Sequence, residues 1–158
     1  LQGSRVMLIE IQSLVGYSTY AQPKRMVNGL DYNRVNQIAA ILERRVGLSL
    51  SKQDIYASVV GGLNVNDPAV DLAICLSIVS CSRNILPKRK LITLGEIGLT
   101  GELRAVSRVE QRLKEAAKLG FEKAIIPISK SKKKKLSIPG LEIIEASKVA
   151  EVLAYAFN

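Results

Sequence analysis

Residues 67–81, Asp-Pro-Ala-Val-Asp-Leu-Ala-Ile-Cys-Leu-Ser-Ile-Val-Ser-Cys, constrain this chain more than any other stretch. Asp67 suits an N-cap, where its carboxylate accepts from a free backbone N–H. Pro68 suits the first helical position, because its missing N–H is not needed there. The rest is apolar or small on every face, broken only by Asp71 and serines. A helix that is apolar all round must have protein on most sides. The elements before and after it are therefore expected to wrap around it. Gly61 and Gly62, just upstream, allow a strand to turn sharply into the helix. A strand, a turn and a helix N-terminus place outward-pointing N–H groups where sites are often built.

At 158 residues the chain reads as a single domain over 1–158, long enough to bury a core. It has no histidine, which removes a Ser-His-Asp triad, a Cys-His pair and histidine-based metal sites. Its two cysteines, Cys75 and Cys81, are too few for the usual structural zinc site. They lie off-face from each other on one helix and read as reduced, buried, small apolar residues of a cytoplasmic protein. The start, Leu-Gln-Gly-Ser-Arg, lacks both an initiator Met and a signal-peptide pattern, so a fragment of a longer chain is expected. No apolar run is long enough to span a membrane. The formal charge of +9 points to a polyanion or an acidic neighbour.

In chain order, residues 5–15 read as a strand that continues as a hairpin over 16–27. Asp31 then caps a helix with the stripe Val35, Ile38, Ala39, Leu42 and Val46, ended by Gly47. Arg34, Arg44 and Arg45 lie off that stripe. Residues 54–60 alternate as a strand leading into the glycine pair. Residues 91–94 read as a short buried strand and 95–103 as a tight glycine-bearing hairpin. Ser107 and Glu110 have the spacing of a capping box. The helix they open buries Val109, Leu113, Ala116 and Ala117 and stops at Gly120. Residues 124–127 and 141–144 are core strands, and Ser147 caps a last helix with Val149, Leu153 and Ala156 inward. Hairpins mixed with crossovers predict an α+β fold in two layers.

The run Gly95-Glu96-Ile97-x-Leu-x-Gly101-Glu102, a helix, then Gly120-Phe121-x-Lys-Ala-Ile-Ile-Pro127 resembles the proteolytic domain of Lon-type proteases. The likeness extends in order over nearly the whole chain. Val59-Val60-Gly61-Gly62, Asp71-Leu72-Ala73, Pro23-Lys24-Arg25 and Gly29-Leu30-x-x-Asn33-Arg34 bring it closer still to the Lon-like C-terminal domain of the bacterial RadA (Sms) family of DNA-repair ATPases. The resemblance implies a Lon-protease-like α+β fold similar to domain 2 of ribosomal protein S5. It also implies a homo-hexameric ring that helps hold DNA during branch migration. ATP, Mg and Zn are expected in upstream parts of such a protein, and no cofactor in this stretch.

Active Lon-type enzymes carry a Ser nucleophile at the start of the central helix and a Lys base on the helix after the hairpin. Laid on this chain, Ala69 stands at the nucleophile position, Arg112 at the lysine position, and Leu94 where a threonine precedes Gly-Glu. Arginine stays protonated in proteins, so Arg112 cannot act as the base. Ser77, Ser80 and Ser82 lie on the central helix without an evident base, and such serines usually bond back to a carbonyl. Asp71 is read as complementing the helix dipole, with a buried ion pair to Arg112 as an expected remnant of the old site. No Gly-x-x-x-x-Gly-Lys-Ser/Thr loop is present. These gaps lead to the expectation that the chain is not an enzyme and has no catalytic residue.

The basic residues form separate clusters: Lys24 with Arg25, Lys88 with Arg89 and Lys90, and the run Lys132, Lys133, Lys134 and Lys135, with Lys130 just before it. They are the candidate DNA-binding residues, by phosphate contact rather than base reading, since aromatic residues are few and scattered. The bland alternative is a solvated surface. Two rival functions remain, an active peptidase with a relocated nucleophile and an S5-like RNA-binding module.

Overall fold

The structure, a computed structural model, describes residues 5–130 and 135–157. Strand β1 spans Ile11–Tyr17 and β2 Arg25–Asn28; helix α1, Tyr32–Ile41, runs on into a π-helical turn, Leu42–Val46. Strand β3, Gln53–Val59, leads through a 3-10 turn, Pro68–Val70, into α2, Asp71–Arg83. Then come β4 (Leu91–Thr93), β5 (Glu96–Ile97), β6 (Leu103–Arg104), α3 (Val109–Lys118), β7 (Lys123–Pro127), β8 (Glu142–Ala146) and α4 (Val149–Ala156).

The first sheet has the order β1-β3-β2. β1 runs antiparallel to β3, with Ile11 opposite Val59, and β2 runs parallel to it, with Arg25 opposite Ile55. The expected hairpin over 16–27 is therefore absent. β3 takes the centre because it carries the buried row Ile55, Ala57 and Val59, while β1 and β2 alternate between half-buried and exposed positions suited to edges. Parallel neighbours need a crossover, and α1 supplies it, capped by Asp31, which accepts from the Arg34 N–H at 2.8 Å.

The second sheet, β4-β7-β8, is wholly parallel. Its central strand is buried on both faces, as parallel sheets require. Ile125 faces the main core with α1, α2 and α4. Ala124 and Ile126 face a smaller core with Leu113, Ile138 and Leu141. α2 lies in the main core and buries Leu72, Ile74, Cys75, Leu76, Ile78 and Val79, which matches its all-round apolar sequence. Both cysteines are free, and burial followed by the charge of Asp71 pushes the Cys75 thiol up to about 12.

Two helix starts differ from expectation. The residue before α3 is Arg108, in a left-handed conformation with no side-chain cap, so Ser107 and Glu110 form no capping box. The Ser107 carbonyl and hydroxyl are taken instead by Arg112, at 2.9 and 3.4 Å. Likewise Lys148, not Ser147, directly precedes α4. Ser147 is held by Glu151, whose carboxylate accepts from its backbone N–H at 3.1 Å and its hydroxyl at 2.9 Å.

The small β5–β6 hairpin stands between the two sheets. Val149 N–H donates to the Gly101 carbonyl, and Leu103 N–H to the Ser147 carbonyl, both at 2.9 Å. Among the described residues, no helix is long and apolar enough to cross a membrane.

Gly29, at φ 79°, fixes the chain entering the central helix: its carbonyl accepts from Val65 N–H at 2.7 Å. A Cβ here would lie 2.3 Å from the Leu63 carbonyl oxygen, backbone that cannot swing aside. Gly29→Ala is expected to destabilise the fold by about 1–3 kcal/mol in urea titration, the range of overpacking changes. A neutral result would mean that the 63–65 loop yields freely.

Candidate functional site

The most buried charge among the described residues is Asp71, at the first turn of α2 and 0% exposed. Its carboxylate accepts from Arg34 Nε at 3.1 Å, from Arg34 Nη2, and from the Ile97 N–H at 2.9 Å. The same guanidinium donates to the Ile97 carbonyl at 3.1 Å and to Gln37 Oε1 at 2.9 Å, with Glu96 at 3.7 Å. One residue pair thus ties α1, α2 and β5. Burial lifts the Asp71 carboxyl above its ordinary range, and Arg34 and the Ile97 N–H pull it back only in part. Arg34 is raised first by its hydrogen bonds to Asp71. The pair is charged, because each partner's acceptors and donors match the ionised form of the other.

The expected Asp71–Arg112 ion pair does not form. Arg112 Nη1 lies 2.8 Å from Asp67 Oδ2. Asp67 stands before the 3-10 turn in an extended conformation whereas Asp71 is already helical, so the two carboxylates do not share one helical face. Asp67 and Asp71 therefore face different sides, one toward α3 and the other toward α1 and the hairpin. Arg112 is 8% exposed and spends its remaining contacts on Ser107.

At the nucleophile position Ala69 is buried. Its N–H donates to Asp67 Oδ1 at 3.0 Å, and its carbonyl accepts from Gly95 N–H at 3.2 Å. Leu94 belongs to the smaller core. Ser77 Oγ donates to the Ile74 carbonyl at 2.8 Å and lies 2.6 Å from Ser13 Oγ, while Ser80 bonds to the Ile85 carbonyl. Around these positions the charged contacts are carboxylate–guanidinium pairs, Asp71 with Arg34 and Asp67 with Arg112. Two clefts flank the 63–68 loop. One of about 360 Å³ lies by Met7, Ser107 and Arg112, and one of about 480 Å³ by Asn33, Arg34, Gln37 and Asn66.

The basic candidates do not form one surface. Arg25 donates to the carbonyls of Leu50 (3.1 Å), Lys24 and Gln53, so it holds the start of β2. Lys24 stacks its ammonium over Tyr20 at 4.1 Å. Lys88 sits over the Tyr155 ring at 3.8 Å, and Lys90 pairs with Glu122 at 2.8 Å. Those two and exposed Arg89 meet Lys123 around a shallow groove at the start of β4 and β7. Lys130 follows the opposite end of β7 and Lys135 is exposed. Lys132, Lys133 and Lys134 lie outside the described residues. Lys123 was not picked out from the sequence, because only the β4–β7 register (Leu91 opposite Lys123) brings it to Lys90. Among the described residues no cluster of His, Cys, Asp and Glu could hold a metal ion.

Residues 23–130, more than half of the chain, match the family model described as Subunit ChlI of Mg-chelatase. The chain belongs to that family. It is also 47% identical over 157 residues to the DNA repair protein RadA of Bacillus subtilis (strain 168), which covers 97% of this chain and 33% of that protein. With RadA of Synechocystis sp. (strain ATCC 27184 / PCC 6803 / Kazusa) it shares 46% over 155 residues, 98% of this chain and 30% of that protein. With RadA of Listeria monocytogenes serovar 1/2a the figure is 43% over 157 residues, 99% and 34%. The likeness to RadA read from the motifs is borne out. The chain spans about a third of the length of these relatives.

The same comparisons overturn one expectation, that the chain is not an enzyme. The family it belongs to is that of a subunit of an enzyme, Mg-chelatase. The dyad and P-loop arguments concern two chemistries only and do not carry so broad an exclusion.

Breaking a buried pair strands a charge, whereas replacing both partners with apolar residues removes the charge altogether. Arg34→Met is expected to cost about 3–5 kcal/mol in urea unfolding. Arg34→Met with Asp71→Leu should cost clearly less than the two single changes summed. Additive losses would mean the pair is not coupled. For Asp67, burial pushes the carboxyl up, but the Ala69 N–H and the Arg112 guanidinium outweigh it and hold it below its ordinary 3.8. A lowered folded value stabilises the fold above the unfolded pKa and is lost as pH falls through the folded one. Unfolding followed from pH 5 to pH 2 should therefore show an acid-side loss that shrinks in Arg112→Leu. An unchanged acid limb would remove Arg112 as a cause.

Proposed function

We propose that this chain is the Lon-protease-like part of a RadA-type DNA repair ATPase, with the α+β fold of Lon proteolytic domains and ribosomal protein S5 domain 2. In this reading it belongs to a homo-hexameric ring, working in the cytoplasm. The parts of the protein that take ATP, Mg and Zn lie outside these residues. The observation that carries the proposal is 47% identity to a DNA repair protein along nearly all of the chain. Geometry adds a second support. The basic groove at the start of β4 and β7 joins Lys88, Arg89, Lys90 and Lys123, with Lys88 positioned by Tyr155 and Lys90 by Glu122. Clustered cations of this kind suit phosphates, and the one ring beside them in the described residues, Tyr155, is covered by Lys88.

Within the assembly, the chain's role is to hold DNA by its backbone, independent of sequence. Asp71 with Arg34 and Asp67 with Arg112 tie α1, α2, α3 and β5 together. Fluorescence anisotropy with labelled duplexes of different sequence tests this. Affinity should be alike for all duplexes and fall with salt at a log–log slope near −0.9 per phosphate neutralised. Arg89→Glu with Lys123→Glu should flatten the slope and weaken every duplex equally. No binding at low salt, or a variant that alters the ranking of sequences, contradicts the proposal.

A further inference from the structure

A groove of about 760 Å³ lies between β1 and β4, with α2 as its floor. Its walls are edges of two different sheets: among the described residues β1 pairs with no strand but β3, and β4 with none but β7. Which backbone groups face it follows from the ladders. The Glu10 carbonyl accepts from Val60 N–H at 2.9 Å, and Ser18 N–H donates to the Lys52 carbonyl at 3.0 Å, so the even residues of β1 bond β3. In an antiparallel pair the alternate residues then point outward, here Ile11, Ser13 and Val15. Val15 shows it directly: its N–H donates to Cys81 Sγ at 3.2 Å on the groove side. In β4 the Lys90 carbonyl and the Leu94 N–H bond β7 at 3.1 and 3.0 Å, which leaves Leu91 and Thr93 turned outward. Ile11 and Ser13 thus face Leu91 and Thr93 across one groove.

The floor is small and apolar, formed by Ala73, Leu76, Ser77 and Ser80 of α2, with Phe121 beside it. Leu86, 87% exposed, stands at the mouth. The one charged residue in the lining is Glu10, a carboxylate that repels phosphate. Cations appear only at one end, where Pro87 leads into Lys88, Arg89 and Lys90. Unpaired sheet edges over an apolar floor are a template for an added strand, with main-chain bonds for affinity and alternate side chains for specificity.

We propose that this groove takes an extended segment of a partner protein, apolar at alternate positions and acidic at the end beside Lys88 and Arg89, as a strand added between β1 and β4. This assignment rests on the sheet edges and the apolar floor and shares with the DNA-holding role only Lys88 and Arg89, at one end of the groove.

Two fluorescent octapeptides test it, each of alternating Val and Thr with a Glu-Asp pair, one with the pair at its N-terminus and one at its C-terminus, to allow parallel or antiparallel entry. One of them should bind the chain, and amide exchange at Leu91 and Thr93 should slow in its presence. Affinity should fall at least tenfold when Glu-Asp becomes Lys-Lys or when alternate peptide nitrogens are methylated. Thr93→Pro removes an outward N–H that the ladder does not use, so the fold is kept while binding falls by a similar factor. Thermal unfolding of that variant checks its folding. Thr93→Val, which keeps the N–H, should bind as the parent does. No binding by either peptide at millimolar concentration overturns the proposal. So does binding that Thr93→Pro or N-methylation leaves unchanged. Protected Leu91 and Thr93 amides in the free chain overturn it as well. If they are protected because the chain dimerises, and Thr93→Pro makes it monomeric, the occupant is a second copy and not a partner protein.

Discussion

The fold depends on a charge with no access to water. Asp71 opens the central helix, is fully buried, and is satisfied by the Arg34 guanidinium and the Ile97 N–H. A buried carboxylate is costly unless its lone pairs are met, so the partners must be in place when the helix is buried. Those partners come from α1 and β5, elements far apart in sequence. The register of α1 on α2, and the approach of the β5–β6 hairpin, are thereby fixed to within hydrogen-bond geometry. Apolar packing alone tolerates sliding; a bidentate pair does not.

The second pair, Asp67–Arg112, does similar work one turn earlier, linking the helix start to α3. Between them lies the 3-10 turn, and the two carboxylates do not share one helical face. Ala69 is locked between Asp67 and Gly95 by its own backbone groups. The junction of sheets and helices holds two ion pairs and the buried Ala69 methyl group. The result is a frame whose basic groups lie at its margins.

Much of this frame was legible in the residues. The apolar run after Asp-Pro announced the central helix, Asp31 the cap of α1, and Gly95 to Glu102 the hairpin. Long-range pairing was not legible. Residues 16–27 read as half a hairpin because local alternation does not reveal that β3, later in the chain, would slip between β1 and β2. Ser107 and Glu110 had capping-box spacing, but Arg112 competes for Ser107. Arg34 was visible as an off-stripe arginine and as part of the Gly29 to Arg34 motif, and nothing local linked it to Asp71. The ion pair expected between Asp71 and Arg112 was wrong, because Arg112 meets Asp67 and Arg34 takes Asp71. Lys123 joined the basic groove only through parallel register. Arg25, a candidate for DNA, proved to be spent on carbonyls. Each miss is a contact between segments distant in sequence, or a local signal overruled by one.

The central claim is that DNA is held at the basic end of the parallel sheet while the ion-paired junction serves as frame. Hydrogen–deuterium exchange of the chain with and without a saturating duplex at low salt tests it most directly. The account predicts slowed exchange over residues 87–91 and 121–124 and unchanged exchange over 63–72 and 107–113. Protection centred on 63–72 and 107–113, with 87–91 unaffected, would contradict it and place the ligand at the ion-paired junction instead.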